Sequence, residues 1–354
     1  MAVSVAVAGA YLSTEAYVQY SDRLLDHPSL LMLLADGRLH SGEWLARELG
    51  VSRAAVWKGI ERLRLRGIEV DALARRGYAL PRAVELLDEA RIRAEIAGMR
   101  APRLRSLDLR FDVDSTNTRL LAAAPPPYGC ADVMLSELQH AGRGRRGRHW
   151  VAPFGGSVAL SLGWSFTDAS KASPTLSLCV GVAVARALGR AGAEGIRLKW
   201  PNDIWLGDRK LGGVLIELRA EASGPAHVVI GVGVNVSLSP AVRDGIEAAG
   251  VRAAAVADAC AAAPSRNFIA GAIIDELLSM LEVFERDGFA AFRETWSALD
   301  ALRDREAQVL LGDEVFAGTA RGVDAQGVLR LERDGRVQEF VSGEVSLRLR
   351  DDGI

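Results

Sequence analysis

Three strand-like runs, GIRLKWP (195–201), KLGGVLIELRA (210–220) and HVVIGVGVNVSL (227–238), follow one another with no room for a helix between them. Parallel neighbours need a crossover of a dozen or more residues, whereas antiparallel ones need only a hairpin. A largely antiparallel or mixed sheet therefore fits this stretch better than a doubly wound one. LRFDVDST (109–116), ADVMLSELQ (131–139) and GSVALSLGWSF (156–166) read as further strands, and LAAAPPPYGC (121–130) as a loop. The apolar stretch at about 172–192 and the 267–300 region read as helices.

Two smaller segments flank this centre, so the fold class is α+β and multidomain. In 22–82 the spacing of Leu24, Leu25, Leu30, Leu31, Leu33 and Leu34 suits a helix. Ser41 can cap a short second helix that Gly50 ends, and Ser52 a third, with Val56, Ile60 and Leu63 on one face. This is helix-turn-helix spacing, and IEVDALARRGYALP (68–81) then alternates like the hairpin of a wing. At the other end, 301–354 holds five short alternating runs separated by GD, DAQG and DG, the pattern of a small β-barrel.

Charge narrows the partners. The net charge is −2, so no global basic field draws in nucleic acid or membrane, and any such binding needs a local patch. Residues 22–82 supply one, with 11 Lys/Arg against 8 Asp/Glu. Ser52, Arg53, Trp57 and Lys58 lie at the start or on the outer face of the third helix, where they can meet phosphates and base edges. A small helical adaptor is the competing reading. Cys130, Cys179 and Cys260 are far apart and read as reduced, mostly buried thiols, which with the absence of an 18-residue apolar run points to a cytoplasmic protein. MAVSVAVAGAY resembles a signal-peptide core but lacks a positive n-region. Residues 1–21 are read instead as a disordered extension or as an upstream misplaced start.

Four motifs carry chemistry. GRGRRGRHW (142–150) packs Arg143, Arg145, Arg146 and Arg148 among glycines. It is neither a P-loop nor a dinucleotide fingerprint. Arginine forks match carboxylate or phosphate oxygens, and glycine lets the backbone come close, as in a strap over an anionic ligand. A nucleic-acid patch and a solvated loop remain as alternatives. In KWPNDIWLGDRKLGGVLIEL (199–218), Lys210 sits where a strand begins and can counter a developing phosphate charge; an ordinary surface hairpin is the other reading. DSTN (114–117) can be no more than a helix cap. The glycines of GVGVNV (231–236), around Asn235, indicate a close backbone approach or a strand edge.

Taken in order, DSTN, QHAGRGRRGRHW-x-x-PFG, KWPND-x-x-x-x-x-RKLGG and IGVGVNV resemble a biotin–protein ligase. HSGEWLARELGVSRAAVWKGIERLR, with GIEV and RGYALP after it, is similar to the DNA-binding part of the two-function members, the biotin operon repressors. The resemblance runs from about residue 24 to 350. It implies a winged helix-turn-helix domain at 22–82, a catalytic domain at 83–300 resembling class II aminoacyl-tRNA synthetases, and an SH3-like barrel at 301–354.

The resemblance also implies a reaction and its residues. Biotin and ATP, with Mg²⁺, give biotinyl-5′-AMP, and biotin then passes to a lysine of a biotin carboxyl carrier protein domain. Ser115, Thr116, Asn117 and Gln139 match the biotin-binding positions, with the backbone at Arg143. Arg143, Gly144 and Arg145 match the loop that orders over the adenylate. Lys210 matches the lysine between carboxylate and α-phosphate, and Asp203 is a candidate for orienting the acceptor lysine or Mg²⁺. Asn235 matches a position near the adenine, and Asn202 joins Arg143 and Arg145 in ATP binding. No metal ligands are assigned on the protein. The expected partners are the carrier domain, operator DNA and a second copy of the chain in an adenylate-bound homodimer, with no membrane. Two-function relatives often carry a tryptophan in the loop after the last of these strands, yet that loop, residues 237–252, contains no aromatic. A ligase with a vestigial DNA-binding domain is thus the alternative; a lipoyl or octanoyl transferase fits the strap and Gln139 poorly.

Overall fold

The computed structural model describes residues 28–168, 173–220, 225–262, 264–311, 314–341 and 346–349. The expected extension at 1–21, with Leu24 and Leu25 of the expected first helix, lies outside them. The chain divides into one unit ending at Val84 and another beginning at Glu85.

In the first unit, α1 (Pro28–Leu34), α2 (Gly42–Glu48) and α3 (Arg53–Leu65) precede a hairpin of β1 (Asp71–Leu73) and β2 (Gly77–Ala79). Both serines cap as their positions predict: Ser41 Oγ accepts from the Trp44 amide at 3.1 Å and Ser52 Oγ from the Ala55 amide at 3.2 Å. Gly50, at φ +64°, turns the chain between α2 and α3, a conformation that costs glycine little. Leu30, Leu31, Leu34, Leu45, Val56 and Ile60 close a core, while Ser52, Arg53, Trp57 and Lys58 stay exposed.

The second unit is built on a seven-stranded mixed sheet. In chain order come α4 (Glu89–Ala94), β3 (Leu104–Val113), α5 (Thr116–Ala122), β4 (Ala131–Gln139) and β5 (Ser157–Phe166). Next are α6 (Leu176–Arg190), β6 (Ile196–Lys199), β7 (Asp203–Leu206), β8 (Arg209–Ala220) and β9 (Ala226–Asn235). α7 (Pro240–Ala248), α8 (Arg266–Asp287) and α9 (Arg293–Leu299) follow. The strand order is β3-β4-β5-β9-β8-β7-β6, with β3 and β4 parallel and every other pair antiparallel. The hairpin succession expected from 195–238 is present, with one more strand, β7, than the sequence suggested.

Two expectations need correcting. The strand read at 109–116 stops at Val113, because Ser115 and Thr116 turn into α5. Residues 237–252, read as a loop, contain α7 behind its cap, Ser239. The 267–300 region is helical as expected, divided by Gly288 at φ +61° into α8 and α9.

Helices α6 and α8 cover one face of the sheet and share its core with Val214, Val232, Leu160 and Leu135. α6 is apolar nearly all round, as a doubly covered helix must be. Arg266, 3% exposed, pins the start of α8: it donates to Ser157 O at 3.0 Å, Glu85 O at 2.6 Å and Glu137 Oε2 at 2.9 Å. Burial pushes the Cys179 thiol up, which fits an inert core cysteine; Cys130 and Cys260 are only partly buried, against expectation.

Near the C-terminus β10 (Glu306–Leu311), β11 (Glu314–Val323), β12 (Leu329–Arg333), β13 (Arg336–Phe340) and β14 (Ser346–Leu349) form an antiparallel sheet, ordered β13-β12-β11-β10-β14. Its Val309, Ala320, Leu329 and Leu331 join the same continuous core. Trp200 Nε1 donates to Gly327 O at 3.0 Å across the junction. Among the described residues no helix is long and apolar enough to cross a membrane.

Asp300 sits at that junction. Its Oδ1 accepts from the Leu302 amide at 2.9 Å, and its buried Oδ2 has no partner among the described residues. Burial pushes its carboxyl from 3.8 up to about 6, against the opposing pull of the Leu302 amide and Arg303. Between those two values the folded chain keeps a proton that the unfolded chain has released, so stability falls as pH rises through the window. Asp300→Asn should remove this dependence. Relative to that variant, wild type is expected to lose about 2–3 kcal/mol between pH 4 and pH 7, read from denaturation curves at each pH. Parallel stability profiles for the two proteins would refute the assignment.

Candidate functional site

The sheet face opposite α6 and α8 is unusually bare. Asp203, Gly213, Gly233 and Ala159 lie side by side across β7, β8, β9 and β5. Two residues along, Leu215, Gly231 and Ser161 form the next row. Because β9 is an interior strand, the strand-edge explanation of its glycines fails and the close-approach one holds. A Cβ on Gly233 would fall 2.5 Å from Cε2 of the Trp150 indole, and one on Gly231 would collide with the Asn117 amide. Trp150 lies directly on the strand backbone, with its Nε1 buried and unpartnered among the described residues.

DSTN lies over one end of this face. Ser115, Thr116 and Asn117 are each under 5% exposed. Ser115 is indeed the cap of α5, so the bland reading of that serine is right, but it does not exhaust the segment. Gln139, at the end of β4, accepts from the Thr116 amide at 2.9 Å and from its hydroxyl at 3.2 Å. Ser161 Oγ donates to Asn117 Oδ1 at 2.5 Å and lies 2.7 Å from Thr116 Oγ1. Asn117 Nδ2 donates to Glu217 Oε2 at 3.0 Å and Leu215 O at 3.3 Å, so both ends of its amide are held by the protein.

The arginine segment turns back on itself, with Arg145 partly buried and Arg143, Arg146 and Arg148 exposed. Trp150 donates its amide to Gly142 O at 2.9 Å and Gly144 to Arg148 O at 2.7 Å, closing a hairpin whose tip is Arg146 and Gly147 at φ +58° and +71°. Arg143 pairs with Glu217 at 2.8 Å. Arg145 donates to Asn202 Oδ1 at 3.1 Å; burial foremost, then Arg146 and Arg148, depress its guanidinium, and Asp203 partly offsets this.

The KWPND segment lies under that arginine. Asn202 Nδ2 donates to Val214 O at 2.7 Å. Lys210 Nζ donates to Asp203 Oδ1 at 2.6 Å, passing over Gly213. Gly207 and Asp208 make the expected ordinary turn between β7 and β8, yet the same hairpin delivers Lys210. Its backbone is held on both sides, opposite Trp205 on β7 and bonded to Arg252 O and the Ala254 amide, each at 2.8 Å. Asn235 is buried at the end of β9 and donates to Ala254 O at 3.0 Å. The structure thus gathers Ser115, Thr116, Asn117, Gln139, Arg143, Gly144, Arg145, Asn202, Asp203, Lys210 and Asn235 within one unit. Ser52, Arg53, Trp57 and Lys58 belong to the other.

Residues 111–235 match the biotin/lipoate A/B protein ligase family, 304–348 the biotin protein ligase C terminal domain, and 29–79 an HTH domain. Over 320 residues the chain is 38% identical to the bifunctional ligase/repressor BirA of Salmonella typhimurium, spanning 90% of this chain and 97% of that one. The chain belongs to the biotin protein ligase family. It is also 34% identical over 265 residues to the biotin–[acetyl-CoA-carboxylase] ligase of Mycobacterium tuberculosis, covering 73% and 95% of the two chains. The biotin protein ligase of Aquifex aeolicus, solved in complex with biotin and ATP, superposes with a TM-score of 0.59 at 24% identity over 70% of this chain and all of that one, which shows a shared fold.

Within this biotin protein ligase, three site residues escaped the sequence reading. Trp150 closes its motif without an assigned role, Ser161 is one serine in a buried strand, and Glu217 lies inside the 210–220 run with nothing local to mark it. The close contact at Gly231 has a measurable consequence. Gly231→Ala should cost about 1–3 kcal/mol in urea denaturation, since a methyl there must displace the Asn117 amide. Gly245→Ala, in open space on α7, should gain roughly 0.5–1 kcal/mol. Equal effects at the two positions would contradict the packing described.

Proposed function

We propose that the protein is an ATP-dependent biotin–protein ligase and a biotin-responsive transcriptional repressor. One observation carries the reading: on a single bare sheet face, Thr116 and Gln139 gather at one end and Lys210 and Arg145 at the other. Thr116 and Gln139, joined at 2.9 Å, suit a urea head, which needs donors at its oxygen and acceptors at its N–H groups. Ser115 and the Arg143 backbone complete that end, and Asn117 holds the segment in place. Lys210 and Arg145 suit the carboxylate tail and α-phosphate, and Asn235 and Asn202 the nucleotide.

A carboxylate oxygen of biotin attacks the α-phosphorus of ATP and pyrophosphate leaves. The lysine amine of a biotin carboxyl carrier protein domain then attacks the acyl carbon and AMP leaves. Lys210 counters charge on the reacting phosphoryl group, while Asp203 orients that ammonium or the incoming amine. The strap keeps water from the mixed anhydride. Among the described residues no three His, Cys, Asp or Glu side chains form a metal cluster. Magnesium enters as a companion of the ATP phosphates, with Asp203 the candidate carboxylate beside it, and no step is assigned to it.

The helix-turn-helix unit supports operator binding through Ser52, Arg53, Trp57 and Lys58. An adenylate-bound homodimer would match a two-fold operator. We assign residues 22–82 to DNA binding, 83–300 to a synthetase-like catalytic domain and 301–354 to an SH3-like barrel, in a cytoplasmic protein. The aromatic-free segment 237–252 favours one alternative, a ligase without repression.

Purified protein mixed with biotin, MgATP and an acceptor domain should add one biotin mass to that domain. An unmodified acceptor would overturn the ligase reading. Lys210→Ala should slow adenylate formation by roughly 10²–10³-fold in pyrophosphate exchange. Arg145→Gly should release biotinyl-5′-AMP and label bystander lysines; retention equal to wild type would remove the strap's role. Binding to promoter DNA should tighten when biotin and MgATP are present and weaken in Arg53→Ala and Lys58→Ala, with ligation intact. Indifference to the ligands leaves the ligase-only alternative.

A further inference from the structure

Glu217 lies on the same face of β8 as Gly213 and Leu215, with its side chain 15% exposed. One carboxylate oxygen pairs with Arg143 at 2.8 Å, and the other accepts from Asn117 Nδ2 at 3.0 Å. Arg143 is on the strap and Asn117 is on the segment that carries Thr116, so a single carboxylate joins the two walls of the site. Asn117 in turn is fixed by Ser161 at 2.5 Å. Lys210 answers instead to Asp203, and Arg145 to Asn202.

We infer that Glu217 is a positioning residue that binds the strap to the head-recognition segment, so that recognising the vitamin and holding the strap down are one event. The inference rests on the ligase reading above. Its physical basis is pre-organisation: a strap already tied at Arg143 has less freedom left to lose when ligand arrives. A carboxylate is required because Arg143 and Asn117 both present donors. Glutamine keeps the shape but turns an N–H group toward one of them.

The test uses the full chain. In Glu217→Gln the KM for biotin should rise roughly tenfold, the loss expected for a hydrogen bond to a charged group. Release of biotinyl-5′-AMP should quicken by a similar factor. The kcat of biotin-dependent pyrophosphate exchange should stay within about threefold of wild type, because Lys210 and Arg145 are anchored elsewhere. Arg143→Gln should likewise raise the biotin KM, and the double variant should raise it no further than the poorer single one. Glu217→Gln with unchanged biotin KM and adenylate release, or additive losses in the double variant, would overturn the inference. If Glu217→Gln does not fold, Arg143→Gln decides alone, and an unchanged biotin KM there overturns it. Wild type that makes no biotinyl-5′-AMP would sink the ligase reading itself, and that result is read before any variant.

Discussion

Two strand positions without a side chain, Gly231 and Gly233, make the rest of the site possible. Glycine weakens a strand interior, by roughly 0.5–1 kcal/mol relative to alanine in comparable settings. β9 tolerates it because β5 pairs with it along its whole length and β8 along most of it. In exchange the backbone admits Asn117 and the Trp150 indole at distances that any Cβ would forbid. Gly213 lies in the same row as Gly233, and Lys210 reaches Asp203 over it. Remove the bareness at Gly231 and Gly233, and the segment and the strap lose their common plane together.

On that floor the cations are balanced unequally. Lys210 and Arg143 each face a carboxylate. Arg145 meets the neutral carbonyl of Asn202, with Asp203 acting only from longer range, and burial already depresses its guanidinium. A partly desolvated charge with a neutral partner is the costliest of the three to hold. An acyl phosphate would relieve that cost most at Arg145, whereas Lys210 and Arg143 would exchange one anion for another. On the proposed reaction, discrimination between empty and occupied sites would therefore concentrate at Arg145.

Much of this was legible in the sequence because it depends on local rules. Ser41 and Ser52 cap helices where a serine before a periodic run predicts it, and the unbroken succession of strands before Asn235 dictates hairpins. The strap, DSTN and Lys210 were visible as motifs, and their conjunction as a family resemblance. What stayed hidden depends on register. Nothing local to Gly233 says that Trp150, more than eighty residues earlier, will lie on it. Glu217 gains its meaning only when β8 and β9 align Leu215 with Gly231 and so set the carboxylate beside Asn117. β7 was hidden for a different reason: four residues, two of them fully apolar, carry too little alternation to announce a strand.

The aromatic-free segment after β9 shows why composition alone is a poor guide to coupling. Helix α7 is not idle: Arg243 forks onto Asp258 at 3.1 Å and reaches Ala253 O at 2.7 Å. Residues 252–254 lie in parallel register beside Lys210, and Ala254 O takes the Asn235 amide. Whatever presses on α7 thus bears on the backbone that aims Lys210 and on the asparagine assigned to the nucleotide. A tryptophan here would add apolar area, about 150–250 Å² of it, and so affinity for a flat base. It would not add the connection, which is made of backbone hydrogen bonds and one arginine. A ligand-driven change at this segment therefore needs differential contact with α7 rather than a ring in particular, because a ligand shifts a conformational balance only by its difference in affinity for the two states.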